Sequence, residues 1–168
     1  RQWQKPILTL FAAVPLMVVQ AGTTTMLIPL LGRIDVGLLY PLILVPIGIV
    51  GASNMVNMLA GFNGSESGMA IVYLGNLAFY AYAHERFSAA AIAGITVCAL
   101  LAFYYYNKAP AKILGGDSLT YLLGGSLVSV AVLGNIERAA LIASTPFFIE
   151  FILKAWGKFK KKSIGTCQ

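Results

Sequence analysis

The chain has 168 residues, 58% of them hydrophobic and only 11% charged. A soluble domain carries roughly 25% charged residues, so the composition excludes an ordinary water-soluble fold and points to an all-α polytopic membrane protein. The formal net charge of +6 is not a nucleic-acid signal, because the basic residues are sorted by loop, and the two cysteines build no disulfide framework.

Apolar windows of about 17–25 residues are the measure of a membrane-spanning helix. The first runs from about Pro6 to Gln20, with Pro6 suited to a helix's first turn. AGTTTMLIPLLGRIDVG follows, rich in Thr, Gly and Pro, and predicts a loop or small β-hairpin. The second span covers about Leu38 to Leu59, is interrupted by Pro41 and Pro46, and runs straight into NMVNMLAGFNGSESG. The third lasts from near Ser67 to Ala83, and HERF, His84 to Phe87, is its polar turn. The fourth occupies Ala89 to Tyr106 and closes on Phe103, Tyr104, Tyr105 and Tyr106, the aromatic cluster of a lipid–water interface. NKAPAKILGGDS is a basic, glycine-containing loop. The fifth span is about Leu119 to Leu133, GNIER turns the chain, and the sixth is about Ala139 to Trp156. Six spans result, the third to fifth rather short, within a membrane portion over 1–157. Residues 158–168 form a basic tail or the start of a loop.

Six crossings put both termini, the Asn54–Gly68 stretch and the NKAPAKILGGDS loop on one side. Nine of the twelve Lys and Arg residues lie there, against Arg33, Arg86 and Arg138 opposite. The positive-inside rule makes the richer side cytoplasmic and the hairpin extracytoplasmic.

The polar residues on that side carry the chemistry. Polar side chains at membrane depth cost free energy unless they face a partner, a ligand or water. Asn54 and Asn57, spaced i, i+3, share one helix face. Gly61, Gly64 and Gly68 remove side chains where a backbone could approach an anion. Asn63 and Glu66 complete the run. Asp117 stands at the mouth of the fifth span behind Gly115 and Gly116, and Lys5 at the mouth of the first. One carboxylate with neighbouring amide oxygens suits Mg²⁺, which keeps several waters and takes its remaining ligands from phosphate. Lysine supplies a point charge to a phosphate oxygen. Bland readings stand beside these. Asp117 also suits a helix N-cap, Lys5 an anionic-lipid anchor, and Glu66 a first-turn residue favoured by the helix dipole.

The segments RQWQKPILTLFAAVPLM, SNMVNMLAGFNGSESG and KAPAKILGGDSLTYLLGG, in this order, resemble the polyprenyl-phosphate N-acetylhexosamine-1-phosphate transferases (glycosyltransferase family 4 type). Within that family the likeness is strongest to the archaeal and eukaryotic dolichyl-phosphate N-acetylglucosamine-1-phosphotransferases. It runs from Arg1 to about Trp156 and matches the fourth to ninth of the family's ten helices. The resemblance implies that Asp117 and Asn57 coordinate Mg²⁺, or Mn²⁺ in its place. It also implies that Asn63 sits at the uridine or diphosphate, that Asn54, Gly64, Glu66 and Gly116 shape the pocket, that Leu114 lies near the uracil, and that Lys5 contacts phosphate. The peptidoglycan branch carries aspartates where this chain has Ala60 and Asn63, which argues against that branch and lowers the metal-binding charge of this stretch.

The implied reaction moves N-acetylglucosamine 1-phosphate, or a related N-acetylhexosamine 1-phosphate, from a UDP-sugar to a polyprenyl or dolichyl phosphate, the first membrane step of glycan assembly in N-glycosylation. The family's paired aspartates belong upstream of Arg1 and its sugar-recognition loop beyond Gln168. The chain is therefore expected to be an internal piece, inactive alone, of an enzyme; a homodimer is compatible with the family, and no feature of the sequence decides it. The competing expectation is a transporter with a broken-helix substrate site. The apolar character of the fourth and fifth spans past mid-membrane argues against it.

Overall fold

The computed structural model describes residues 9–28, 32–59 and 63–156. An apolar helical stretch, Thr9–Val19, ends in α1 (Val14–Val19). Strands β1 (Thr25–Ile28) and β2 (Gly32–Asp35) pair antiparallel, with Thr25 opposite Asp35 and Ile28 opposite Gly32. Of the two readings of the Thr/Gly/Pro-rich stretch, a loop or a small β-hairpin, the structure has the hairpin. A π-helical turn, Tyr40–Leu44, leads into α2 (Val45–Leu59). Then come α3 (Ser65–Ala83), α4 (Phe87–Asn107), α5 (Gly116–Gly134), α6 (Glu137–Ala143) and α7 (Thr145–Trp156).

Three described helices are long and apolar enough to cross a membrane: Tyr40–Met58, Phe87–Asn107 and Gly116–Gly134. These make the chain an integral membrane protein of mostly helical fold with a small hairpin. The helices of the third to fifth predicted spans are 19, 21 and 19 residues long, longer than the apolar windows suggest. Their polar ends, such as Ser65–Glu66 and Gly116–Asp117, join the helix instead of ending it. The sixth predicted span is broken. Pro146 offers no N–H to continue the ladder of α6, and Ser144 Oγ donates back to the Ala140 carbonyl at 2.7 Å. The Tyr73 hydroxyl of α3 reaches the same carbonyl at 2.9 Å and Ser144 Oγ at 3.0 Å, so the break is held from a neighbouring helix.

The core explains the bundle. Tyr73, Leu74, Leu77 and Ala81 of α3 pack against Ala89, Ala93 and Leu100 of α4 and against Leu123, Leu127 and Val130 of α5. Exposed Ile95, Leu101 and Tyr105 on α4, and Val72 and Phe79 on α3, form the outer surface expected of lipid-facing helices. Helix α2 crosses α5 at very close range. A Cβ at Gly124 would fall inside the backbone of Ser53 and 2.8 Å from the Ala52 carbonyl carbon. In membranes, where lipid is as apolar as leucine, small residues let helix backbones make this kind of van der Waals contact. A smaller cluster (Ala13, Leu16, Tyr40, Val45, Ile49 and Val132) ties α1 and the π-helical turn to the other end of α5.

Candidate active site

Connectivity gathers the polar residues. Helices α3 and α4 form an antiparallel pair joined at His84–Arg86, so the start of α3 and the end of α4 share one end of the bundle. Helix α2 ends at Leu59 and α3 begins at Ser65, and α5 begins nine residues after α4 ends. Asn57, the Asn63–Gly64 turn, Asn107 and Asp117 therefore meet at that end.

The α2–α5 crossing sets the register within it. In antiparallel helices, the Ser53–Gly124 contact carries forward by one turn, four residues on each chain, to Asn57 and Thr120. The side chains confirm the pairing. Thr120 Oγ1 lies 2.9 Å from Asn57 Oδ1, and also 2.9 Å from the main-chain carbonyl oxygen of Asp117 one turn earlier. Thr120 is 1% exposed. Asn57 and Asp117, distant in sequence, are joined through this one hydroxyl.

The turn into α3 is built around Gly64. Its φ of +78° lies in the left-handed region, and a Cβ there would stand 3.1 Å from both Lys108 Cα and Tyr104 Cε2 at the end of α4. Only glycine satisfies the dihedral and the space together. Ser67, fully buried, donates to Asn107 Oδ1 at 2.6 Å, and Asn107 Nδ2 donates to the Ile113 carbonyl at 2.9 Å. Asn107, itself 1% exposed, thereby couples the start of α3 to the loop that delivers Gly116 and Asp117. Sequence reasoning singled out neither Thr120, Ser67 nor Asn107. The only signal in the sequence was a polar side chain at the rim of an apolar helix, which is also where Ser, Thr and Asn serve as ordinary helix-end residues.

The remaining predicted residues fall as follows. Asp117 is not an N-cap: α5 starts at Gly116 behind Gly115, with Asp117 in its first turn. It lines a groove of about 650 Å³ that runs along α5 past Tyr121, Gly125 and Ser129, with Ser53 of α2 on its flank. Gly116 has φ +57°, and a Cβ placed there would meet nothing within 4 Å, so its backbone is open to a close-lying group. Asn63 and Leu114 are exposed and Glu66 is partly buried in the first turn of α3. Asn54 Nδ2 donates to the Val50 carbonyl of its own helix at 2.7 Å. Lys5 lies outside the described residues.

Chemically, the starts of α3 and α5 bring two helix N-termini to one end, and their N–H groups and dipoles favour an anion there. No group of three His, Cys, Asp or Glu side chains occurs among the described residues. A cation at this end would rest on few protein oxygens, those of Asp117 and Glu66 in the first turns of α5 and α3 and the Asn57 amide, and on the ligand's own oxygens. That donor set is hard and sparse, which fits Mg²⁺ in a phosphate complex and not a stand-alone protein cage.

A second cavity, about 360 Å³ between α2, α5, α6 and α7, holds none of the predicted site residues. It contains a buried polar pair that composition did not disclose. The Tyr40 hydroxyl donates to Glu137 Oε1, and Glu137, the fourth residue of the GNIER turn, is only 6% exposed.

The profile of glycosyl transferase family 4 matches residues 1–135 of the chain. A Saccharolobus solfataricus protein provisionally named UDP-N-acetylglucosamine–dolichyl-phosphate N-acetylglucosaminephosphotransferase is 38% identical over 98% of this chain and 52% of its own length. The Sulfolobus acidocaldarius protein of the same name is 32% identical over 98% of this chain and 51% of its own. The phospho-N-acetylmuramoyl-pentapeptide-transferase of Bacillus licheniformis is 37% identical over 69% of this chain and 36% of its own. The chain spans about half the length of the archaeal relatives it matches. On this match, and with the motifs gathered at one end of a membrane bundle, the chain belongs to glycosyl transferase family 4, the phosphoglycosyl transferases.

Proposed function

We propose that the chain is the core of an enzyme that transfers N-acetylglucosamine 1-phosphate, or a closely related N-acetylhexosamine 1-phosphate, from a UDP-sugar to a polyprenyl or dolichyl phosphate. The observation that carries this reading is the Asn57–Thr120–Asp117 contact beside two helix N-termini. Through it the Asn57 side chain and the first turn of α5, which carries Asp117, share one end of the bundle, where a diphosphate can be held. Ala60 and Asn63, in place of the aspartates of the peptidoglycan branch, support an N-acetylglucosamine donor over a muramoyl-pentapeptide donor. The excess of Lys and Arg at this end supports a cytoplasmic orientation.

In this reading a lipid phosphate oxygen attacks the β-phosphorus of the UDP-sugar. A new P–O bond forms, the bond from the β-phosphorus to the bridging oxygen breaks, and UMP leaves with the electron pair. Mg²⁺ held by Asp117 and Asn57 would supply the positive charge that offsets the diphosphate's as the bond breaks. Gly64 and Gly116 let the backbone approach the phosphates, and the N–H groups opening α3 and α5 hold their oxygens. Lys5 adds a positive charge to the phosphate, and Asn63 and Leu114, exposed at the same end, contact the nucleotide. Asn54 and Glu66 shape the surrounding wall. Phosphoryl transfer asks little covalent work of a protein, so alignment and charge carry the rate.

Asp117→Ala in the full-length enzyme tests the assignment. Loss of Mg²⁺-dependent UMP release is the expected result, and release persisting near the original rate would sink it.

A further inference from the structure

The Thr120 hydroxyl has two oxygens at equal reach. Asn57 Oδ1 and the Asp117 carbonyl oxygen each stand 2.9 Å from Oγ1, yet a hydroxyl has one proton to donate and lone pairs with which to accept. When the proton goes to Asn57, the amide oxygen points at Thr120 and the nitrogen is the outer end of this half-buried side chain. An N–H cannot ligate a cation. A half-turn about the last side-chain torsion, which is broad and roughly two-fold for asparagine, exchanges the two ends. Nδ2 then donates to Oγ1, the hydroxyl proton passes to the Asp117 carbonyl, and Oδ1 becomes the outer end. Thr120 Oγ1 keeps a hydrogen bond to Asn57 in both states, so neither leaves the buried hydroxyl unpaired.

We propose that Thr120 is the positioning residue for Asn57, its hydroxyl letting the amide turn its oxygen outward to a divalent cation. This deepens, and rests on, the reading of Asn57 and Asp117 as cation ligands. Serine in place of Thr120 keeps the exchange. Valine, of the same shape, abolishes it.

The test is Mn²⁺ binding to the full-length enzyme, followed by electron paramagnetic resonance without substrate. Removing a group that orients a metal ligand typically weakens binding about 10–100-fold. Thr120→Val is expected to lose affinity in that range and Thr120→Ser to match the unsubstituted enzyme. Asn57→Leu should lose as much as Thr120→Val, and the double variant no more than Asn57→Leu, because Thr120 acts through Asn57. Thr120→Ala serves as the hydroxyl deletion if Thr120→Val does not fold. Unchanged Mn²⁺ affinity in the deletion, or losses that multiply in the double variant, overturns the role of Thr120 while leaving the metal reading intact. Failure of the unsubstituted enzyme to bind Mn²⁺, or tight binding by Asn57→Leu, overturns the metal reading and this inference with it.

Discussion

Substituting Gly124 by Ala tests the argument that one helix crossing sets the site. The new Cβ would lie 2.8 Å from the Ala52 carbonyl carbon and closer still to the backbone of Ser53, whereas ordinary contact begins near 3.4 Å. Backbone cannot rotate away as a side chain can, so α2 and α5 must part by about 1 Å, and overpacking of this kind typically costs about 1–3 kcal/mol. Alanine's better helix propensity returns up to about 1 kcal/mol. Gly75→Ala isolates that gain, because Gly75 sits in α3 with nothing within 4 Å of its Cβ position. Thermal unfolding in detergent should therefore move in opposite directions for the two variants, up for Gly75→Ala and down for Gly124→Ala. Displacements of about 1 Å can cost about 10²-fold in rate, so Mg²⁺-dependent UMP release in the full-length enzyme should fall by about that factor for Gly124→Ala alone. Equal stabilities and equal rates would refute the claim that the crossing carries Asn57 to Thr120.

Gly64→Ala should lower activity and stability together, since it sets a side chain at φ +78° against Lys108 and Tyr104; left-handed backbone costs about 1–2 kcal/mol for non-glycine residues, and an unfolding midpoint equal to wild type would count against it. Asn107→Leu removes a partner of buried Ser67, which keeps only a 3.4 Å contact to the Gly64 carbonyl, and the donor to the Ile113 carbonyl, with an expected loss of about 1–3 kcal/mol. Hydrogen exchange in residues 108–115 should quicken, and an unchanged exchange pattern would show that Asn107 does not hold this loop. At the far end, Glu137 Oε2 finds no partner among the described residues while Oε1 is held by Tyr40. Tyr40→Phe should therefore destabilise by about 1–3 kcal/mol, and adding Glu137→Met should recover most of the loss. A double variant no more stable than Tyr40→Phe would show that the pair is not an isolated polar contact.

The sequence alone carried the membrane class, a loop or small hairpin between Ala21 and Gly37, and the HERF and GNIER turns, because each rests on local quantities: hydropathy over a window, turn residues, the spacing of apolar runs. The same locality explains the errors. Apolar windows missed helix ends made of Ser65, Glu66, Gly116 and Asp117, since a polar first turn is helical without being hydrophobic. They also ran through Ser144, where a proline two residues on and a tyrosine from another helix break the span. Motif spacing put Asn54 and Asn57 on one face; whether either amide was free to act depended on what stood opposite. Only the tertiary structure decided that Asn57 meets Thr120 and that Glu137 is buried against Tyr40. The physical reason lies at Gly124: a missing side chain lets two backbones touch, and a contact between residues about seventy apart has no trace in the local pattern of either helix.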